Sequence, residues 1–107
     1  MQATGAALRY VRQHLGLTQR AFAAQLDITP EHLSNVENGN GKLSTSVAAR
    51  LQELWNLDIY VLAWALSDPN SLPPSLRAPA KALRKYFNQI LKANTADIPV
   101  PPETAGG

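Results

Sequence analysis

The sequence predicts an all-α fold: five short helices followed by an additional C-terminal amphipathic helix. Three observations carry this expectation. Apolar residues recur at three- and four-residue spacing between Leu8 and Leu66, and again between Leu83 and Leu91. Thr18, Thr29, Ser44 and Asp58 stand where helices start, and Gly16, Gly39 and Asn56 stand where they stop. No stretch alternates apolar and polar residues as a half-buried strand would, and the chain has no internal repeat.

Leu8, Val11 and Leu15 fall at i, i+3 and i+7 with Ala7 beside them, which predicts a first helix over residues 3–15. Arg9, Arg12, Gln13 and His14 lie off that stripe, and Gly16 suits a left-handed stop. Thr18 caps a second helix to about Leu26, with Phe22 and Leu26 facing inward and the small Ala23 between them. At Asp27 the chain must turn sharply with a positive φ, which Asp tolerates in place of glycine. Thr29 caps a third helix. Pro30 takes its first position, where a missing N–H costs nothing, and Glu31 meets the positive end of the helix dipole. Leu33 and Val36 point inward, leaving Glu31, His32, Ser34 and Asn35 outside until Gly39 ends the helix. After a loop at residues 40–43, Ser44 or Thr45 caps a fourth helix with Val47, Ala48, Leu51, Leu54 and Trp55 as its stripe. Asp58 caps a fifth, Ile59 to about Leu66. It is apolar nearly all round and so is expected to be deeply buried or paired with another surface.

Pro69, Pro73, Pro74 and Pro79 punctuate residues 67–79, which read as an extended linker that no regular helix crosses. Leu83, Phe87, Ile90 and Leu91 make the apolar face of a last helix over residues 80–93, with Tyr86 beside it. Residues 94–107, with Pro99, Pro101 and Pro102 and little apolar content, read as a disordered tail. The chain thus divides into a folded unit (1–66), a linker (67–79), an amphipathic helix (80–93) and a tail (94–107). Three roles stand open for the amphipathic helix, in this order: a dimerisation arm, packing on its own domain, and an extra phosphate-binding surface.

The net charge is only +2. Five basic and five acidic residues cancel up to Leu66, whereas residues 76–95 hold five basic residues and no acid. The basic footprint usual for a nucleic-acid binder is therefore concentrated in the last helix. Absence of cysteine excludes disulfides and thiolate metal sites, and His14 and His32 lack ligand-like spacing, so neither a metal nor another cofactor is expected. No apolar run approaches the roughly 20 residues of a membrane span. MQATGAALRY lacks the charged start and apolar run of a signal peptide, so a cytoplasmic location is expected. No nucleophile–base pair and no paired carboxylates stand at meaningful spacing, so the chain does not read as an enzyme.

The informative stretch is Leu17 to Gly39, LTQRAFAAQLDITPEHLSNVENG. A small Ala23 mid-helix, a turn at Asp27 and Ile28, and inward Leu33 and Val36 follow the order of the bihelical unit whose second helix enters the DNA major groove. With its Leu17-Thr18-Gln19 start, Ile28-Thr29 turn exit and Glu37-Asn38-Gly39 ending, this stretch resembles the helix-turn-helix of the Cro and phage-repressor (XRE) family of bacterial regulators. The likeness runs from about Leu8 to Leu66 and implies a five-helix, lambda-repressor-like DNA-binding domain. It departs at Asp27, where the family usually has glycine, and at Pro30, where it often has a base-reading glutamine.

The resemblance implies roles for particular residues. Gln19 would bond a phosphate and brace the third helix. Glu31 and Asn35 would face base edges, with His32 and Ser34 near a base or the backbone and Thr29 and Pro30 at the helix entry. Asn38, Asn40 and Lys42 would hold phosphates. Arg12 and Glu37 match a buried ion pair linking the first helix to the end of the third. The chemistry is compatible: Asn pairs bidentately with adenine, Glu accepts from the cytosine amino group, and amide and lysine groups suit phosphates. Plainer readings stand beside these, with Glu31 as a first-turn helix stabiliser, His32 as a solvated residue, and Arg12 and Glu37 as unrelated surface charges. The function expected is a transcriptional regulator, a repressor binding double-stranded operator DNA as a homodimer. The alternatives are an antitoxin that also holds a toxin partner, or a protein-interaction module on the same scaffold.

Overall fold

The computed structural model describes residues 3–97. Within them the chain forms six α-helices and no strand: α1 (Ala3–Leu15), α2 (Gln19–Leu26), α3 (Pro30–Glu37), α4 (Thr45–Trp55), α5 (Ile59–Ala65) and α6 (Pro74–Asp97). The protein is all-α, and its first five helices form at the positions their apolar stripes dictate.

The starts of α2, α3, α4 and α5 are set by local side chains. The Thr18 hydroxyl accepts from Ala21 N–H at 3.0 Å and the Thr29 hydroxyl from His32 N–H at 3.1 Å. Ser44 accepts from Val47 N–H at 3.2 Å, and Asp58 accepts from the N–H groups of Tyr60 and Val61. These bonds satisfy donors that have no partner inside the helix. The stops of α2 and α4 are left-handed. Asp27 (φ 60°) and Asn56 (φ 51°) are the non-glycine residues with positive φ among those described. At the first, Ile28 N–H reaches back to Ala23 O at 3.0 Å, which closes α2 and points the chain into α3.

The core lies between α1 and its neighbours. α1 packs against α3, α5 and α6, while α2 packs on α3 and α4. Ala7, Leu8, Val11, Phe22, Ala23, Leu33, Leu51, Leu57, Ile59 and Leu62 are buried, and the Phe22 and Trp55 rings tilt together with centroids 5.7 Å apart. Gly5 marks a close approach of α1 to the end of α3. A Cβ there would sit 2.2 Å from Val36 O, so only a residue without a side chain lets α1 meet the end of α3.

The C-terminal region differs from its sequence reading in two respects. First, residues 67–79 are not an extended linker. Pro69–Ser71 form a 3-10 turn capped by Asp68, and α6 begins at Pro74 and runs through Pro79. Pro74 opens a helix readily, and Pro79 lies only one turn further in. There the carbonyl that its missing N–H would have engaged belongs to the exposed Ser75 and can bond water. Arg77 Nε donates to Pro69 O at 2.9 Å, tying α6 to the turn before it. Residues 94–97, assigned to the tail, continue the helix, and the rest of that tail (98–107) lies outside the described residues. Second, the apolar stripe of α6 is buried within its own chain. Phe87 and Leu91 belong to the core, with Leu83 and Ile90 packed against it. Burying a side chain of this size stabilises by roughly 1.5–3 kcal/mol, so α6 packs as part of this chain's own core.

The fifth helix is buried on one side only. Ile59, Leu62, Ala63 and Ala65 face the core, while Tyr60 (52 % exposed) and Val61 (38 %) face outward. Trp64 lies half-buried beside them.

Candidate nucleic-acid interface

α3 is presented by a buried polar junction at its C-terminal end. The Glu37 side chain has no solvent exposure, although glutamate is almost never fully buried without a partner. Arg12 supplies one in a fork geometry, Nε to Oε2 at 2.8 Å and Nη2 to Oε1 at 3.1 Å. The Gln19 amide donates to Glu37 Oε1 at 3.1 Å, and Arg9 Nε lies 3.6 Å from the same oxygen. Arg12 Nη1 also donates to Leu17 O at 3.1 Å, at the turn between α1 and α2. One carboxylate therefore fastens α1, α2 and α3 together. The bidentate pair supplies direction as well as energy, since a planar guanidinium meets a carboxylate in one orientation.

Arg9 is the residue that the sequence reading left unassigned. Its Nη2 donates to Asn38 Oδ1 at 2.6 Å, so it holds the residue that terminates α3. The signal was present in the spacing: Arg9 and Arg12 are three apart and share a face of α1.

Outward from this junction stand the other candidates. Leu33, Val36 and Glu37 fill the inner face of α3. Glu31 and Asn35 are exposed on the outer face, with His32 and Ser34 half-buried at its margins. Thr29 is committed to capping, and Pro30 occupies the first turn. Asn38 caps the C-terminus and donates weakly to Ser34 Oγ at 3.4 Å, and exposed Asn40 returns its backbone N–H to Asn35 O at 2.8 Å. Lys42 is exposed in the loop that follows. Gln19 faces Glu37, not open solvent, while exposed Arg20 stands beside it. The outer face of α3 and the 38–42 loop thus form one continuous polar surface with Glu31 as its one acid.

His14 lies apart from this surface, on α1, with its ring stacked on Tyr10 at 3.9 Å between centroids. Among the described residues no three His, Cys, Asp or Glu side chains converge as a metal site, and no helix is long and apolar enough to cross a membrane.

Two helices joined by a left-handed turn, the second held by its inner face and bare on its outer one, define a DNA-docking bihelical protein. The helix-turn-helix family model matches residues 8–62, half of the chain, and the protein belongs to that family, the Cro and phage-repressor (XRE) type of DNA-binding regulator. No curated protein and no solved structure matches the chain.

Proposed function

We propose that this DNA-binding helix-turn-helix protein is a sequence-specific repressor that binds operator DNA as a homodimer, with α3 in the major groove. The observation that carries the reading is the division of α3. Its inner face is anchored through Leu33, Val36 and the buried Glu37, and its outer face exposes the Glu31 and Asn35 side chains. Asn35 reads an adenine edge, and Glu31 accepts from a cytosine amino group. His32 and Ser34 flank them, with Thr29 and Pro30 at the entry. Asn38, Asn40 and Lys42 meet phosphates on the C-terminal side, and Gln19 meets one at the start of α2 through the amide hydrogen that does not face Glu37. Regulation follows from occupancy of the operator.

The dimer forms through α5, because the stripe of α6 is enclosed in its own core. Tyr60, Val61 and Trp64 lie within one arc of α5, and Tyr60 and Val61 are the exposed large apolar residues of that helix. Two-fold pairing through them would place two copies of α3 on half-sites about one helical turn apart.

The test is binding to genomic fragments at low and moderate salt, followed by footprinting upstream of the protein's own gene. A protected, two-fold symmetric site whose affinity falls with salt is expected. Asn35→Ala with Lys42→Ala should abolish protection without changing the melting temperature. Absence of any preferred fragment, or full protection by the double variant, would refute the reading. Retained activity of that variant in a protein-binding assay would favour an interaction module or an antitoxin instead.

A further inference from the structure

On the opposite side of α1 from the Glu37 junction, α6 and α5 enclose an open pocket of about 510 Å³ lined by Tyr10, Leu66, Lys81, Arg84, Lys85 and Asn88. Tyr10 lies roughly 130° around α1 from the midpoint of Arg9 and Arg12, at about 100° per residue. The pocket therefore faces away from the surface that α3 presents, and DNA seated on α3 would not fill it.

Its chemistry is unbalanced. Lys81, Arg84 and Lys85 stand at i, i+3 and i+4, on one face of α6, where like charges repel. None of them pairs with a carboxylate, since both ion pairs among the described residues end on Glu37. Arg84 Nε is shielded from solvent and has no hydrogen-bond partner in the protein. A ligand in the pocket therefore meets Arg84 through its terminal guanidinium nitrogens and not through Nε. The remaining walls are Leu66, Asn88 and the Tyr10 ring, which is held in place as Tyr10 Oη donates to Asn88 Oδ1. The volume lies within the roughly 300–1,000 Å³ typical of small-molecule sites, which combine apolar walls with a few placed polar groups.

We infer that this pocket binds a small anionic ligand, a carboxylate or phosphate head group on a compact apolar body. The head group is held by Lys81, Arg84 and Lys85, and the body packs on Tyr10 and Leu66. The Arg84 guanidinium with a lysine on either side of it in sequence suits an oxyanion, and the Tyr10 ring, stacked on His14, gives the pocket an apolar wall. The inference does not rest on the proposed operator binding, because the site lies on another face and its test contains no operator.

The experiment is NMR titration of the full-length protein, backbone amides observed, with four probes: phenyl phosphate, phenylacetate, inorganic phosphate and benzyl alcohol. The expected result is saturable binding of phenyl phosphate or phenylacetate, with shifts centred on Tyr10, Leu66, Arg84 and Asn88. The tighter of the two identifies a phosphate ester or a carboxylate as the natural head group. Loss of one charge-assisted contact in Lys81→Gln or in Lys85→Gln should weaken that binding by about tenfold, and Lys92→Gln, on the same helix outside the pocket, should leave it unchanged. Both substituted lysines are exposed, so the fold tolerates the changes. The inference is overturned if neither aromatic anion saturates, if benzyl alcohol or inorganic phosphate binds as tightly, or if Lys92→Gln weakens binding as much as Lys81→Gln. It is also overturned if a short duplex of arbitrary sequence perturbs the same amides at lower concentration, since the cations would then serve a nucleic-acid backbone.

Discussion

Replacing Arg12 with methionine tests the junction on which the presentation of α3 depends. The substitution keeps most of the aliphatic stem and removes the guanidinium, leaving a carboxylate whose side chain has no solvent exposure. Breaking a buried pair by deleting one partner costs roughly 3–5 kcal/mol, because the remaining charge is uncompensated. Two groups soften the loss. The Gln19 amide stays at 3.1 Å from Glu37 Oε1, and Arg9 Nε lies 3.6 Å from the same atom. Arg9 is 41 % exposed and its attraction is screened by solvent, so it replaces only part of the lost interaction. The expected destabilisation is therefore near the lower limit, about 3 kcal/mol. For a domain of this size it lowers the melting temperature by roughly 12 °C, a large fraction of total stability. Thermal and urea unfolding followed by circular dichroism would measure it. Arg12→Met combined with Glu37→Leu removes both charges and should recover at least half of the loss, the signature of an orphaned carboxylate and not of lost packing. A single-variant cost below about 1 kcal/mol, the value of a surface pair, would refute the reasoning. So would a double variant no more stable than Arg12→Met.

Two further predictions follow from the packing. Gly5→Ala, normally favourable inside a helix, should here destabilise by about 3 kcal/mol, because its Cβ would lie 2.2 Å from the Val36 carbonyl oxygen and α1 would have to move off α3. Denaturant midpoints of Gly5→Ala and of Ala6→Gly, at the exposed neighbouring position, should both fall, the first by much more. Phe87→Ala should cost about 3–5 kcal/mol at protein concentrations too low for any dimer, because the ring is buried within its own chain. Loss of stability only at concentrations where the protein self-associates would instead return α6 to the role of a dimerisation arm.

Much of this fold is legible along the chain. The caps at Thr18, Thr29, Ser44 and Asp58 act through hydrogen bonds two or three residues away, and the left-handed stops at Asp27 and Asn56 are local backbone geometry. Apolar spacing therefore gives five helices, and the Leu17–Gly39 pattern gives the family, because both depend on neighbours in sequence. Residues 67–79 misled for the converse reason. Proline breaks a helix locally, yet a proline near a helix start loses only one bond, to a solvent-facing carbonyl, and the packing of Phe87 and Leu91 outweighs it.

What the tertiary structure decided lies between elements far apart in sequence. Periodicity shows that α6 has an apolar face but does not show whether this chain or another covers it. Only the assembled core, with α6 laid across α1 and α5, has the volume to enclose it. Arg9 holding Asn38, Gly5 against Val36, and three cations of α6 beside Tyr10 and Leu66 in one open pocket are likewise consequences of how the helices cross. A side chain's position on its own helix is fixed by a few bonds in its own segment. The partner it meets is fixed by burial summed over the whole molecule, and no local pattern encodes that sum.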